Sequence, residues 1–293
     1  MAGRLIVNAD DFGLTHGINR AIGELYDAGA LSSATLMANG AAFEDAVEVA
    51  RARPGLGVGC HIVLTDGVPV SHPNNVRTLL GRDGRSFRPS VVDFIRAVLL
   101  GHISAEEVAR EGLAQIERLQ RAGIRVTHID THKHAHVWPS IARPLLEVAD
   151  RAGVHAVRNP FEPKWSLALK QGSDARKMAV RAMGLLRGRF QALPQIRDGR
   201  VRTTDGTIAI SATGELDRET LAEALRALPA TRTYELCCHP GYNDGELECV
   251  TTRLREHRDV EREALLAEVP SVPSSRGELI HYGQLGDGAN AAG

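Results

Sequence analysis

Short apolar runs of strand length alternate with stretches of helical spacing along almost the whole chain, and this pattern restricts the fold more than any other feature. Leu5-Ile6-Val7 ends abruptly at Asn8, Asp10 and Asp11, and Thr15 to Ala28 then places Ile18, Ala21, Ile22 and Leu25 on one helical stripe. Ser33 to Met37 and Ala42 to Ala52 repeat the unit, and Leu56 to Leu64 forms the next strand-like run. Ser104-Ala-Glu-Glu107 has the form of a capping box. Arg125 to Asp130 and His155 to Arg158 read as the fourth and fifth strands, with a helix from Pro139 between them. After a break, Thr207 to Ser211, a helix from Arg218 to Leu228, Tyr234 to Cys238 and a charged helix near Thr252 to Glu268 resume the alternation. Strands separated by helices imply a parallel sheet, and roughly seven repeats suffice for a distorted (β/α) TIM-like barrel. An open doubly wound sheet is the alternative. Both place functional residues beyond the carboxyl ends of the strands.

At 293 residues the chain is compatible with one large barrel domain, expected over residues 1–286, with a disordered tail over 287–293. Residues 160–200 interrupt the pattern with nine basic residues against three acidic ones, Glu162, Asp174 and Asp198. That segment is expected to be an inserted basic helical segment that covers the cleft or makes a homodimer contact. The net charge of -1 gives no global field to attract nucleic acid. Cys60, Cys237, Cys238 and Cys249 show no CxxC spacing and are expected to be reduced thiols. No leader-like apolar segment opens the chain and no window is apolar enough for an integral membrane segment, so a cytoplasmic protein is expected.

The polar clusters fall at strand ends. Asp10 and Asp11 are adjacent, and regular strand geometry would send them in different directions. His61 ends the third strand. His128, Asp130, His132, His134 and His136 share one parity, so an extended backbone would aim all five at one face, while His132 and His136 also have the i, i+4 spacing of a helical metal pair. His239 follows the Tyr234 to Cys238 run. A carboxylate and two imidazoles with open positions would make a divalent-metal site. Arg158, at the end of the fifth strand, is a candidate for holding a ligand hydroxyl or carboxylate, with a surface salt bridge the alternative. Trp138 and Tyr242 are candidates for ring stacking, with core packing the alternative for each.

Taken together, VNADDFGLTHGIN, GCHIVL, THIDTHKHAH and CCHPGYND resemble the YdjC-like carbohydrate deacetylases, which include chitooligosaccharide and hopanoid-associated deacetylases. The resemblance implies a distorted β/α barrel that binds one divalent cation, magnesium or zinc, and removes the acetyl group from an N-acetylated sugar. On matching positions it implies Asp11, His61 and His132 as metal ligands, Asp10 as general base and His239 as general acid. His136, Arg158 and Tyr242 are then expected on the substrate side. The other readings of these residues are a phosphoesterase or cyclic amidase on a barrel, iron and oxygen chemistry at the same ligand set, and a non-catalytic sugar-binding protein.

Overall fold

The computed structural model describes residues 3–169, 172–271 and 278–286. The expected tail at 287–293 lies outside the described residues. The strands are β1 (Arg4–Phe12), β2 (Ser33–Leu36), β3 (Gly57–Ile62), β4 (Ile129–Thr131), β5 (Gly206–Ile208), β6 (Thr233–Cys238) and β7 (Glu278–Leu279). The helices are α1 (His16–Asp27), α2 (Phe43–Arg51), α3 (Val91–Leu99), α4 (Ala105–Arg121), α5 (Pro139–Arg151), α6 (Lys164–Leu167), α7 (Asp174–Met183), α8 (Arg187–Gln191), α9 (Pro194–Arg197), α10 (Arg218–Arg226), α11 (Gly245–Glu248) and α12 (Glu256–Glu268). All strand pairs are parallel, in the order β4-β3-β2-β1-β6-β5, with β7 paired to the first residues of β1. β2, β3 and β6 are buried at every position, as expected when both faces of a parallel sheet are covered.

The sheet curls into a distorted barrel whose last side is irregular. The expected fifth strand, His155 to Arg158, is present only as isolated bridges, Ile129 to Val157 and Ala156 to Arg202. Thr207 N then donates to Phe161 O at 3.2 Å and carries the contact on to β5. A longer ladder cannot form there because Pro160 has no N–H, and Asn159 turns its side chain to Thr204 O and Phe161 N. The fourth strand is likewise shorter than expected, three residues from Ile129, although Cys60 N and Thr127 N already link its approach to β3.

Helix ends follow local chemistry. Thr15 accepts from Ile18 N at the start of α1, and Ile18, Ile22 and Leu25 face the core. Ser104 caps α4 through Glu107 N, but the Glu107 carboxylate turns away to Thr78, so the expected reciprocal box is only half made. Residues 160–200 form α6 to α9, four short helices rather than one or two: a tightened turn at 184–186 separates α7 from α8, and Pro194 opens α9. Among the described residues, no helix is long and apolar enough to cross a membrane.

Gly59 on β3 shows how tightly the barrel interior is packed. A Cβ there would meet the His128 ring at 2.4 Å, and that ring is stacked on Tyr282 with centroids 3.9 Å apart. Gly59→Ala is therefore expected to cost about 1–3 kcal/mol through overpacking. A denaturant midpoint equal to that of the parent chain would show that the ring gives way freely.

Candidate metal centre

The site begins with an irregularity at the end of β1. The register against β2 shifts between Ala9 and Phe12, and Asp11 sits at φ 64°, in the left-handed region. In a regular strand Asp10 and Asp11 would diverge. The bulge instead lets both buried carboxylates border His61, with Asp11 Oδ1 3.6 Å from His61 Nε2.

Three donor atoms converge. Asp11 Oδ1 is 3.4 Å from His132 Nδ1, and His61 Nε2 is 3.3 Å from the same nitrogen. Asp11 Oδ1 is buried and has no hydrogen-bond donor, whereas Asp11 Oδ2 accepts from Arg258 at 2.6 Å. Bonds of about 2.1 Å to a tetrahedral ion would place neighbouring donors roughly 3.4 Å apart, so these three atoms have the spacing of a metal site. His61 Nδ1 lies 2.8 Å from Asp130 Oδ1, the kind of outer partner that orients a ligating imidazole. Burial opposes charge on His61, but the carboxylates of Asp130, Asp10 and Asp11 raise it to about 9 in the metal-free chain. Burial lowers His132, opposed by Asp11.

Asp10 is held differently. Arg158 grips both its oxygens, at 2.8 and 2.6 Å, and also reaches Asp130 at 2.5 Å and Glu235 at 2.6 Å. Burial pushes the Asp10 carboxyl up, yet Arg158, with help from His61 and His239, holds it far below the ordinary carboxylate range. Burial raises Glu235, which accepts from Tyr282 as well as Arg158. His239 faces the other side of Asp10, with Nε2 3.8 Å from Asp10 Oδ2. Its backbone N–H donates to Glu261, and its buried Nδ1 has no hydrogen bond.

The three residues expected on the substrate side have these surroundings. Arg158 is fully buried and its guanidinium is committed to three carboxylates, Asp10, Asp130 and Glu235. His136 is also buried: Nδ1 meets the Thr131 hydroxyl at 2.6 Å and Nε2 the Arg158 carbonyl at 3.2 Å. Tyr242 is partly buried, donates to Glu24 and lies between Arg20 and Arg262, which occupy its ring. Trp138 packs against the core.

The same-face reading of the histidine run also changes. Extended geometry stops at Thr131, and the 132–137 turn carries Lys133 at φ 57° and His134 at φ 53°. His132 consequently turns to Asp11 and His61, His136 turns inward, and neither the strand parity nor the helical i, i+4 pairing survives. His134 is partly buried, and burial, reinforced by Arg158, lowers it to about 3.

Arg258, Glu235 and Glu261 were not singled out from the sequence. A signal existed for two of them: Arg258, Glu261 and Leu265 lie at i, i+3 and i+7, which puts Arg258 and Glu261 on the apolar stripe of α12. A groove of about 850 Å³ lined by His16, Arg20, Asp45, Arg53, Asp244 and Glu246 contains none of the converging residues. The converging residues lie at the strand ends.

Comparison with known proteins agrees with this architecture. The model of the YdjC-like protein family matches residues 4–270. A carbohydrate deacetylase of Brevibacillus brevis is 45% identical over 158 residues, 54% of this chain and 60% of that protein. A carbohydrate deacetylase of Mus musculus is 33% identical over 248 residues, 82% of this chain and 78% of that protein. The match thus spans only about three fifths of the length of the bacterial relative and more of the mammalian one. Among solved structures, an Enterococcus faecalis V583 protein provisionally assigned to cellobiose-phosphate cleavage has a TM-score of 0.77 at 25% identity, covering 97% of this chain and 99% of that one. With that family model matched from the first strand to the end of α12, the chain belongs to the YdjC-like protein family.

Proposed function

We propose that this chain is a metal-dependent hydrolase that removes the acetyl group from an N-acetylated sugar, such as a chitooligosaccharide or an N-acetylglucosaminyl conjugate. The observation that carries the reading is the convergence of Asp11 Oδ1, His61 Nε2 and His132 Nδ1, beside a separate carboxylate, Asp10, and a separate imidazole, His239. The deacetylase names of the relatives support the same substrate class. Two imidazoles and one carboxylate suit zinc better than magnesium, which prefers an all-oxygen shell.

A divalent cation held by Asp11, His61 and His132 would supply Lewis acidity, polarising the acetamide carbonyl and acidifying a water. Arg158 holds Asp10 in its ionised form, the form that can accept the proton of the attacking water. His239, on the far side of Asp10, delivers a proton to the departing nitrogen, and acetate and a free amino sugar result. Arg258 holds Asp11 Oδ2 and leaves Oδ1 directed at the other two donors. Asp130 orients His61. A phosphoester substrate is less well served, because the nearby guanidinium groups of Arg158 and Arg258 are buried and spent on Asp10 and Asp11.

Acetate release, screened over N-acetylglucosamine, chitooligosaccharides and N-acetylglucosaminyl lipids with the metal varied, tests reaction class and substrate together. Elemental analysis is expected to find about one divalent ion per chain, the number that a single three-ligand set holds. Exhaustive chelation should abolish turnover and metal add-back restore it. Full activity in the chelated protein would overturn the metal-dependent reading.

A further inference from the structure

The outer face of the 160–200 insertion has a composition that the reaction does not require. α7 runs through a tightened turn at 184–186 into α8, with Met183, Gly184 and Arg187 all in helical conformation. Its inner face is anchored by Val180 and Phe190, both buried, and the Phe190 ring lies 6.3 Å from that of His136 and 5.5 Å from that of Phe161. The insertion therefore leans on the wall immediately behind the metal-competent cluster. The opposite face carries Ala175, Met178, Ala179, Ala182 and Leu185, all exposed, with Met178 at 68% and Leu185 at 84%. Ala175, Met178, Ala182 and Leu185 follow at spacings of three, four and three, with Ala179 beside Met178, and so make one apolar stripe. No atom outside the helix approaches where a Cβ on Gly184 or Gly188 would lie, so the surface is convex rather than grooved.

Arg181 and Arg189 border this stripe, are exposed and have no ion-pair partner among the described residues. Residues 172–192 carry five basic side chains against one acidic, in a chain whose net charge is -1. Solvent alone would not favour two nearly bare apolar side chains on such a surface. A protein partner would need a concave, acidic complement, whereas a convex amphipathic helix with a basic border matches an anionic lipid surface directly. Its apolar stripe enters the acyl boundary while its arginines meet the headgroups.

We propose that the α7–α8 face docks this protein on anionic phospholipid bilayers. The docking is independent of the deacetylase reading above.

Cosedimentation of the full chain with vesicles tests the docking without any substrate. Binding is expected to vesicles of phosphatidylglycerol and phosphatidylcholine, to fall steeply with added salt, and to vanish on phosphatidylcholine alone. Each positive charge near an anionic surface is worth about a fivefold change in partitioning, so Arg181→Gln with Arg189→Gln should weaken binding at least about tenfold. Met178→Ser with Leu185→Ser should weaken it comparably. Because all four side chains are exposed or solvent-facing, thermal midpoints and acetate release from a soluble N-acetylated sugar should stay at parent values in both variants. No binding, equal binding to neutral vesicles, or unchanged binding in both variants would overturn the proposal. So would a concentration-dependent dimer that the Met178→Ser and Leu185→Ser variant loses, since the stripe would then be a subunit interface. Vesicle binding without acetate release on any substrate would leave the docking standing and remove the deacetylase reading.

Discussion

Asp10→Asn and His239→Ala are each expected to keep the metal and to lose about 10²- to 10⁴-fold in turnover, the usual contribution of a general acid or base. Neither side chain belongs to the set of Asp11, His61 and His132, although Asp10 and His239 lie with Cys237 in a second group whose atoms are close enough to hold an ion, so metal content is the deciding readout. In Asp10→Asn the amide keeps the shape of the carboxylate and one acceptor for Arg158, which retains Asp130 and Glu235 as partners, while the capacity to take a proton is gone. In His239→Ala the leaving nitrogen has no donor. The two losses separate by substrate: an activated acetyl ester departs without protonation, so His239→Ala should recover on it and Asp10→Asn should not. Metal content measured beside acetate release for both variants checks the division. Loss of metal from Asp10→Asn, or equal loss on amide and ester for His239→Ala, would show that proton transfer and metal binding are divided otherwise.

Arg158→Met should produce the largest loss of stability of any single substitution at the site. Arg158 is wholly buried and faces Asp10, Asp130 and Glu235, all buried as well. Methionine fills much of the volume but leaves three acidic groups without their shared cation. Removing one partner of a buried ion pair costs about 3–5 kcal/mol, which lowers the thermal midpoint by on the order of 10 °C in a chain of this size. The sign with pH follows from the same charges. Without Arg158, burial is left to raise the folded carboxyls of Asp10 and Glu235 above their unfolded values, so their contribution is fully present below the unfolded value and is lost as pH rises through the folded one. The deficit of the variant should therefore narrow on going from pH 7 to pH 5. Arg158→Lys should recover only part of it, because an ammonium cannot reproduce the fork that spans Asp10. A variant within about 1 kcal/mol of the parent across that range would show that the network matters little to folding.

The alternation of apolar runs and amphipathic stretches was enough to read a parallel α/β architecture from the residues, because burial on both faces of a strand and on one stripe of a helix leaves its period in the sequence. It was also enough to bring Asp10, Asp11, His61 and His239 to strand ends, where side chains escape the core. What periodicity reports, however, is local backbone, and the site departs from regular backbone at its decisive positions. The left-handed Asp11 turns two carboxylates that alternation would separate toward one imidazole. The left-handed pair Lys133 and His134 selects His132 from a run of three histidines and sends His136 inward. Arg158 had two readings on paper, a cleft residue and a surface ion pair, and is neither, because its carboxylate partners come from β1, β4 and β6. Arg258 reaches Asp11 from 247 residues away. The sequence by itself determined which residues could carry the chemistry and near which strand ends they would stand. Only the curled sheet decided which of them meet, since that depends on bulges and crossings accumulated over distant segments, and no local period records them.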